Sequence, residues 1–184
     1  MPVQTPICDF GKKALPFQLK STENKIISLD DINGENGTLI MFICNHCPYV
    51  KAITKEIVED CNELKKIGIN SVAICSNDFI NYPEDSFDNM IKFSKDNQFS
   101  FPYLQDETQK IAKKYDAVCT PDFFGYDKDL GLQYRGRLRE LKNFIPVKDG
   151  ESDLLKAMKQ IAKTGKGPQD QIPSAGCGIK WKYD

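Results

Sequence analysis

The sequence predicts an α/β domain in which a central mixed β-sheet is flanked by helices. Residues 38–43 form an apolar run of strand length, typical of a strand that is covered on both faces, and residues 69–75 are expected to form a second buried strand. Between them, apolar residues recur at three- and four-residue steps, which indicates an amphipathic helix. This order favours two parallel strands joined by a right-handed crossover. The length of 184 residues fits a single domain over 1–184.

The elements before residue 76 follow from local patterns. Residues 17–19 and 26–29 are short apolar segments on either side of a polar turn, which predicts an N-terminal β-hairpin. After the first buried strand, apolar side chains recur from Val50 to about residue 66, and Gly68 is expected to close that helix. The helix therefore begins close to Cys47, directly after the strand.

The second half of the chain is expected to complete the sheet and to add a C-terminal extension. In order, we predict a helix at 87–94, a short edge segment at 101–104, a short helix at 108–115, a hairpin from 122–126 and 132–135, a loop at 144–150 and a last helix at 152–163. The core is expected to span about residues 16–164. The tail, 165–184, is rich in Gly, Pro, Lys and Gln, and we expect its glycine-flanked Cys177 to be flexible.

Composition and charge exclude several classes of function. The 25 basic and 26 acidic residues leave a net charge of −1, which lacks the basic surplus of a nucleic-acid binder. No apolar run approaches the ~20 residues of a membrane span, and the first residues lack a signal-peptide pattern. We therefore expect a cytoplasmic protein without a membrane partner. The seven cysteines are odd in number and widely spaced, which predicts mostly free thiols.

The motif that carries chemistry is a Cys-x-x-Cys at the strand–helix junction, Cys44-Asn45-His46-Cys47, followed by Pro48. Free N–H groups and the dipole at a helix start stabilise a thiolate, so we expect the pKa of Cys44 to lie below the ~8.5 of a free thiol. Cys44 would attack a substrate disulfide, and Cys47 would then release the product by closing a Cys44–Cys47 disulfide. A protonated His46 would favour the Cys44 thiolate further.

Two other interpretations of this motif are weaker. A closed zinc site needs two more ligands, but the sequence has no second Cys-x-x-Cys and His46 is its only histidine. Haem attachment needs a histidine after Cys47, where the chain has Pro48. We therefore predict a redox dithiol, with no metal and with no cofactor other than the redox-active disulfide itself.

Thr120 and Pro121 form the second element of the predicted site. A proline just ahead of the apolar run at 122–126 belongs at a strand entrance. With the Cys-x-x-Cys upstream, we expect a cis peptide bond that leaves the preceding backbone free to pair with an incoming chain.

Residues 44–48, residues 119–124 and the order of the elements resemble the thioredoxin fold. More narrowly, the chain from about residue 16 to its end resembles thioredoxin-like proteins of the alkyl hydroperoxide reductase/thiol-specific antioxidant (AhpC/TSA, redoxin) superfamily. The resemblance implies that Cys44 is the nucleophile, Cys47 the resolving thiol and Pro121 the cis-proline beside them. It also implies a thiol–disulfide oxidoreductase that acts on a disulfide-containing protein or small-thiol substrate and is served by a thiol electron donor.

Two alternative functions remain open at this point. A peroxiredoxin-like thiol peroxidase would use the same thiol, but such enzymes place a threonine three residues before the reactive cysteine. That position holds Met41 relative to Cys44, and Cys44 relative to Cys47, so neither offers a hydroxyl. The other alternative is a copper(I) metallochaperone that binds the soft metal through Cys44 and Cys47.

The remaining cysteines and a run of arginines complete the predictions. Cys61 and Cys75 fall on buried patterns and are expected to be core residues, whereas Cys8 has no readable role. We hypothesise that Cys119 or Cys177 exchanges with the Cys44–Cys47 pair, although packing is the favoured role of Cys119. The alternating Arg135, Arg137 and Arg139 are expected to form a solvated face.

Overall fold

The computed structural model of the protein describes residues 1–183, so the last residue of the predicted tail lies outside it. The strands in chain order are β1 (Val3–Gln4), β2 (Gln18–Ser21), β3 (Ile26–Ser28), β4 (Gly37–Phe42), β5 (Ile69–Cys75), β6 (Tyr103–Gln105), β7 (Cys119–Thr120), β8 (Asp122–Tyr126), β9 (Leu132–Tyr134), β10 (Leu141–Lys142), β11 (Ile145–Pro146) and β12 (Ala175–Gly178). The α-helices are α1 (Leu29–Ile32), α2 (Pro48–Lys66), α3 (Phe87–Asp96), α4 (Lys110–Lys114) and α5 (Asp153–Thr164). A 3₁₀ turn, Pro83–Asp85, precedes α3.

The central sheet has seven strands in the order β3-β2-β6-β5-β4-β8-β9. Strands β4, β5 and β6 are parallel to one another, whereas the β2–β3, β2–β6, β4–β8 and β8–β9 pairs are antiparallel. The predicted mixed sheet and N-terminal hairpin are therefore confirmed. None of the helices within residues 1–183 is long and apolar enough to cross a membrane.

Strand β4 is buried along its whole length because both faces of the sheet are covered. Leu39 and Met41 face one core with the apolar sides of α2 and α5. Ile40 and Phe42 alternate with them and face a second core that contains Tyr115. This explains why residues 39–42 are all apolar instead of alternating with polar residues, and it places the end of β4 in the middle of the molecule.

Helix α2 follows β4 across a short loop, as the pattern predicts. Cys47 is its N-cap and Pro48 occupies its first turn, where proline is tolerated because that N–H has no partner in the helix. Gly68 adopts a left-handed φ of +81° just beyond the helix end. Cys61 and Cys75 are buried in the core beneath the helix, which confirms their predicted packing role.

The structure corrects two predictions in the second half of the chain. The segment around Tyr103–Gln105 is not at an edge, because β6 lies between β2 and β5. The predicted loop at 144–150 contains β11, which pairs with β10 as a small separate hairpin. Both strands are only two or three residues long, too short for a periodic pattern to reveal them.

The tail is also structured differently from the prediction. Strand β12 lies between β1 and β7 in a second, three-stranded sheet, and it pairs antiparallel with both. Cys177 is opposite Thr120 in this pairing, so it does not lie in an unpaired, flexible extension. The glycines permit close packing here: a Cβ on Gly176 would lie 2.0 Å from the Thr120 carbonyl oxygen.

The arginine run is not a solvated face. Arg135 and Arg139 are buried and pair with buried carboxylates, Arg135 Nη2 with Asp122 Oδ2 at 2.9 Å and Arg139 Nη2 with Glu56 Oε2 at 2.6 Å. Arg137 alone is partly exposed, and its Nε lies 2.7 Å from Asp153 Oδ2. The chain leaves β9 before Arg135, so the alternation in sequence does not correspond to the two faces of a strand.

Candidate active site

Cys44 and Cys47 meet at the centre of the fold, where β4 ends and α2 begins. The buried strand brings the chain to Cys44, and the N-cap position of Cys47 places its thiol at the positive end of a 19-residue helix. Both residues are almost fully buried, with 1% and 0% of their surface exposed. The structure thus brings together the two cysteines that the sequence singles out.

Thr120 lies against both thiols from the opposite side. Its hydroxyl Oγ1 is 3.4 Å from Cys44 Sγ, and its carbonyl oxygen is 3.2 Å from Cys47 Sγ and accepts a hydrogen bond from that thiol when it is protonated. The Thr120–Pro121 peptide bond is cis. Behind this segment, Asp122 is fully buried and accepts hydrogen bonds from Arg135 Nε and Nη2 at 3.2 and 2.9 Å, which holds the β7–β8 connection in place.

The backbone before Pro121 is not free, contrary to the sequence-based expectation. Thr120 pairs with Cys177 of β12, and the hydroxyl of Ser174 donates a hydrogen bond of 2.7 Å to the Pro121 carbonyl. The C-terminal segment of the same chain therefore covers the position at which an incoming chain was expected to pair.

Cys177 is the third thiol of the site. Its Sγ is 2.9 Å from Cys47 Sγ, and the residue is partly exposed. Cys119, the other cysteine considered for exchange, is fully buried, and its Sγ is 3.5 Å from the Pro121 carbonyl oxygen. Burial raises the pKa of the Cys119 thiol above its usual range. The structure thus supports the packing role of Cys119 and brings Cys177 to the redox pair.

The electrostatics of the pair differ from the prediction. The hydrogen bond from Cys44, aided by one from Cys177, lowers the pKa of Cys47 to about 4 although burial acts in the opposite direction. The pKa of Cys44 is raised well above its usual range by its hydrogen bond to Cys47, by burial and by the negative charge of Asp85. These directions favour a thiolate on Cys47, at the helix N-cap, and the assignment of Cys44 as the nucleophile stays a prediction.

Asp85 is a site residue that the sequence analysis missed. It comes from the 3₁₀ turn, and its carboxylate is fully buried beside the Cys44–Cys47 loop. The carboxylate accepts hydrogen bonds from the Asn45 backbone N–H at 2.7 Å and from Asn77 Nδ2 at 2.8 Å. Its Oδ2 also lies 2.6 Å from His46 Nδ1, a close contact that lacks the alignment of a hydrogen bond. No local pattern links a helix-start aspartate to a loop 40 residues earlier.

Asn45 and His46 shape the rim of the site. The Asn45 side chain accepts a hydrogen bond of 2.8 Å from the Tyr103 hydroxyl and donates one of 3.1 Å to the Glu84 carbonyl. The His46 ring stacks on Tyr82 with an interplanar angle of 6° and a centroid distance of 6.1 Å. The loop between the cysteines is therefore held by Asp85, Tyr103 and Tyr82 rather than by its own residues.

Within residues 1–183, one group of side chains has the composition and spacing of a metal site. Cys44, His46 and Asp85 each offer a ligand atom, and these atoms lie within 4.8 Å of one another. The group does not contain the second thiol that the copper(I) hypothesis requires. That hypothesis therefore stays a prediction.

Comparison with protein families identifies the chain's relatives. Residues 10–137 match the family model described as the AhpC/TSA family, which is well over half of the chain. The chain belongs to the AhpC/TSA family. For this AhpC/TSA protein, the family supports an oxidoreductase role of the thioredoxin-like kind. The comparison with curated proteins found no match.

Three solved structures illustrate the relationship. An uncharacterized conserved protein from Geobacillus kaustophilus is 42% identical, with a TM-score of 0.93, and the match covers 100% of this chain and 98% of that one. A hypothetical protein from Sinorhizobium meliloti is 31% identical over 100% of both chains, with a TM-score of 0.91. The thioredoxin domain of a thiol-disulfide oxidoreductase from Bacteroides vulgatus is 14% identical, with a TM-score of 0.58, and the match covers 68% of this chain and 86% of that domain. The AhpC/TSA protein thus has a thioredoxin fold.

Proposed function

We propose that this AhpC/TSA protein is a thiol–disulfide oxidoreductase whose redox pair is Cys44 and Cys47. The observation that carries the proposal is the pair of buried thiols at the N-terminus of α2, both in contact with Thr120, with the pKa of Cys47 lowered to about 4. A thiolate is the attacking species in thiol–disulfide exchange, and a second thiol in contact with it can complete the reaction.

The reaction follows from this arrangement in two steps. In the reduced protein, the Cys47 thiolate attacks one sulfur of a substrate disulfide, which forms a mixed disulfide and releases the first substrate thiolate. Cys44 then attacks Cys47 Sγ, forms the Cys44–Cys47 disulfide and releases the second substrate thiol, which takes the Cys44 proton. The substrate gains two electrons and the protein loses two. An external thiol donor then reduces the Cys44–Cys47 disulfide and returns two electrons to the pair.

The stabilised Cys47 thiolate also bears on the reduction potential. Because stabilising the reduced form makes a disulfide a stronger oxidant, we expect the Cys44–Cys47 potential to be less negative than that of a dithiol with ordinary pKa values. Equilibration with glutathione at several redox ratios, followed by alkylation and mass spectrometry, measures this potential.

Disulfide reduction assays with single cysteine variants test the proposal. We expect Cys47→Ser to abolish insulin-disulfide reduction and Cys44→Ser to impair turnover. When Cys177, the other thiol beside Cys47, is also replaced by serine, a mixed disulfide should stay trapped at Cys47. Cys8→Ser is the matched control, because Cys8 lies outside the thiol cluster, and it should retain wild-type activity. A wild-type protein that neither reduces nor forms disulfides, with Cys44 and Cys47 intact and reduced, would contradict the proposal.

A second candidate function is a thiol peroxidase, which one observation favours. The sequence offers no hydroxyl three residues before either cysteine, but the fold places the Thr120 hydroxyl 3.4 Å from Cys44 Sγ. Stopped-flow oxidation by hydrogen peroxide separates the two functions. Fast, saturable sulfenate formation that slows in Thr120→Val would favour the peroxidase, whereas slow, unsaturable oxidation would favour the disulfide oxidoreductase.

A further inference from the structure

We propose that Cys177 is the thiol through which the buried Cys44–Cys47 pair exchanges with an external thiol donor. The inference rests on the proposed function and adds to it a third redox thiol and a point of entry for the donor. Cys47 would then be the shared partner of two alternative disulfides, one with Cys44 and one with Cys177.

The position of Cys177 is fixed by the fold. Strand β12 pairs with Thr120 in the register that sets Cys177 opposite it, and Gly176 lets the two backbones approach closely. The resulting distance between Cys177 Sγ and Cys47 Sγ is 2.9 Å. Because a disulfide bond is about 2.0 Å long, a side-chain movement of about 1 Å is enough to form it.

Exposure makes Cys177 the accessible member of the cluster. Cys44 and Cys47 are 1% and 0% exposed, so an external thiol cannot reach either sulfur without opening the site. Cys177 is partly exposed. A donor that attacks a disulfide must approach one sulfur in line with the bond that breaks, and Cys177 offers such a sulfur once it is bonded to Cys47.

The oxidation state of Cys47 affects how readily Cys177 loses its proton. In the reduced protein, burial and the hydrogen bond to Cys47 raise the pKa of Cys177 to about 12, so that Cys177 keeps its proton. When Cys47 enters a disulfide with Cys44, the thiolate that held this proton disappears. Burial still raises the pKa of Cys177, but the positive charge of Lys180 lowers it. Oxidation of the pair therefore removes one of the causes that keep Cys177 protonated.

The proposed relay passes two electrons from external thiols through Cys177 to the Cys44–Cys47 disulfide by successive thiol–disulfide exchanges. The Cys177 thiolate attacks Cys47 Sγ, forms Cys47–Cys177 and releases the Cys44 thiolate, which takes up a proton. An external thiolate attacks Cys177 Sγ, forms a mixed disulfide and releases the Cys47 thiolate. A second external thiolate attacks the donor's sulfur in that mixed disulfide, leaves as the donor disulfide and returns Cys177 to the thiol. Two donor electrons thereby reach the buried pair.

Three measurements test the relay. In Cys44→Ser, mild oxidation followed by peptide mapping should yield a Cys47–Cys177 disulfide. In Cys47→Ser, oxidised glutathione should form its adduct on Cys177 in preference to Cys44. Reduction of the oxidised protein by glutathione should be at least tenfold slower in Cys177→Ser than in wild type, whereas Cys8→Ser should match wild type. Thermal melts check that Cys177→Ser folds as the wild type does.

The outcomes separate the relay from the function on which it rests. If Cys177→Ser is folded and its Cys44–Cys47 disulfide is reduced at the wild-type rate, the relay is overturned while the oxidoreductase stands. Glutathione adducts on Cys44 instead of Cys177 would also overturn it. If no Cys44–Cys47 disulfide forms in the wild-type protein under any oxidant, the proposed function itself fails.

Discussion

The Asp85 carboxylate both accepts hydrogen bonds near the Cys44–Cys47 loop and raises the pKa of Cys44, and replacing it by asparagine tests both roles. Asp85 is fully buried and accepts hydrogen bonds from the Asn45 backbone and from Asn77 Nδ2. An amide of the same shape keeps one acceptor oxygen but turns an NH₂ group toward either Asn45 or Asn77, each of which is a donor. One hydrogen bond to a charged group is therefore lost, and a donor faces a donor.

The magnitude follows from that loss. A hydrogen bond to a charged group contributes about 1.5–3 kcal/mol, so we expect Asp85→Asn to lower the free energy of unfolding by about 2–3 kcal/mol. For a chain of this length, each kcal/mol shifts Tm by about 2–4 °C, which gives a decrease of roughly 5–10 °C. The second effect is on the acidity of Cys44. The negative charge of Asp85 raises the pKa of the Cys44 thiol, so its removal should lower that pKa.

Two assays read the two effects. Thermal unfolding of the reduced protein measures stability, and the pH dependence of alkylation at Cys44, followed by mass spectrometry, measures the acidity of its thiol. Glu84→Gln is the matched control because it makes the same chemical change one residue away on an exposed side chain. If Asp85→Asn resembles Glu84→Gln in both assays, the placement of Asp85 against the active-site loop is wrong.

Four further predictions follow from the site and its surroundings. Absorbance of the reduced protein at 240 nm should show a thiolate transition near pH 4, and this transition should be absent in Cys47→Ser. Because the pKa of Cys47 is lower in the folded state than in the unfolded state, the stability that its thiolate contributes should grow as pH rises from about 4 to 9 and be lost as pH falls through 4. A transition that survives in Cys47→Ser would place the thiolate on Cys44. Arg135→Ala should lower the free energy of unfolding in urea by about 3–5 kcal/mol, because it leaves Asp122 buried without its counter-charge. The loss should be smaller when Arg135→Ala is made in an Asp122→Asn background. Equal losses in the two backgrounds would refute the coupling between Arg135 and Asp122. Burial raises the pKa of Asp60 to about 6, so the stability that its protonated form contributes should be present below about pH 4 and lost as pH rises through 6. Asp60→Asn should remove that part of the pH dependence of the free energy of unfolding, as measured by chemical denaturation. An unchanged pH profile in Asp60→Asn would contradict this role of Asp60. Gly176→Ala should separate β12 from Thr120 and increase alkylation of Cys177 severalfold, whereas an unchanged rate would show that the strand tolerates a Cβ there.

The parts of the fold that could be predicted are those with a local cause. Residues 39–42 of β4 are all apolar because the strand has a core on both sides, and α2 is amphipathic because one of its faces covers that strand. The position of Cys47 at the helix start follows directly from these two elements. The strand–helix junction, which is the part of the site with chemical function, was therefore predictable from periodicity alone.

The rest of the site depends on contacts between distant segments. Asp85 meets His46 through the packing of the 3₁₀ turn, and Cys177 meets Cys47 across 130 residues of sequence. The glycines beside Cys177 suggested flexibility, but they serve close backbone packing, and sequence composition cannot distinguish these two uses. The distribution of charge between Cys44 and Cys47 is also a property of the assembled neighbours and not of the motif.

The pairing of β12 with Thr120 has a consequence for the size of molecule that the site can accept. An extended polypeptide can pair with the Thr120 backbone only in molecules in which β12 has detached from Thr120. Its apparent affinity is therefore its intrinsic affinity multiplied by the fraction of such molecules. If β12 were detached for about 1% of the time, binding would be about 100-fold weaker. A small thiol that reacts only with the Cys177 sulfur does not need β12 to detach, so its reaction is not slowed in this way. We therefore expect the resident strand β12 to favour small thiols over extended polypeptides as reaction partners.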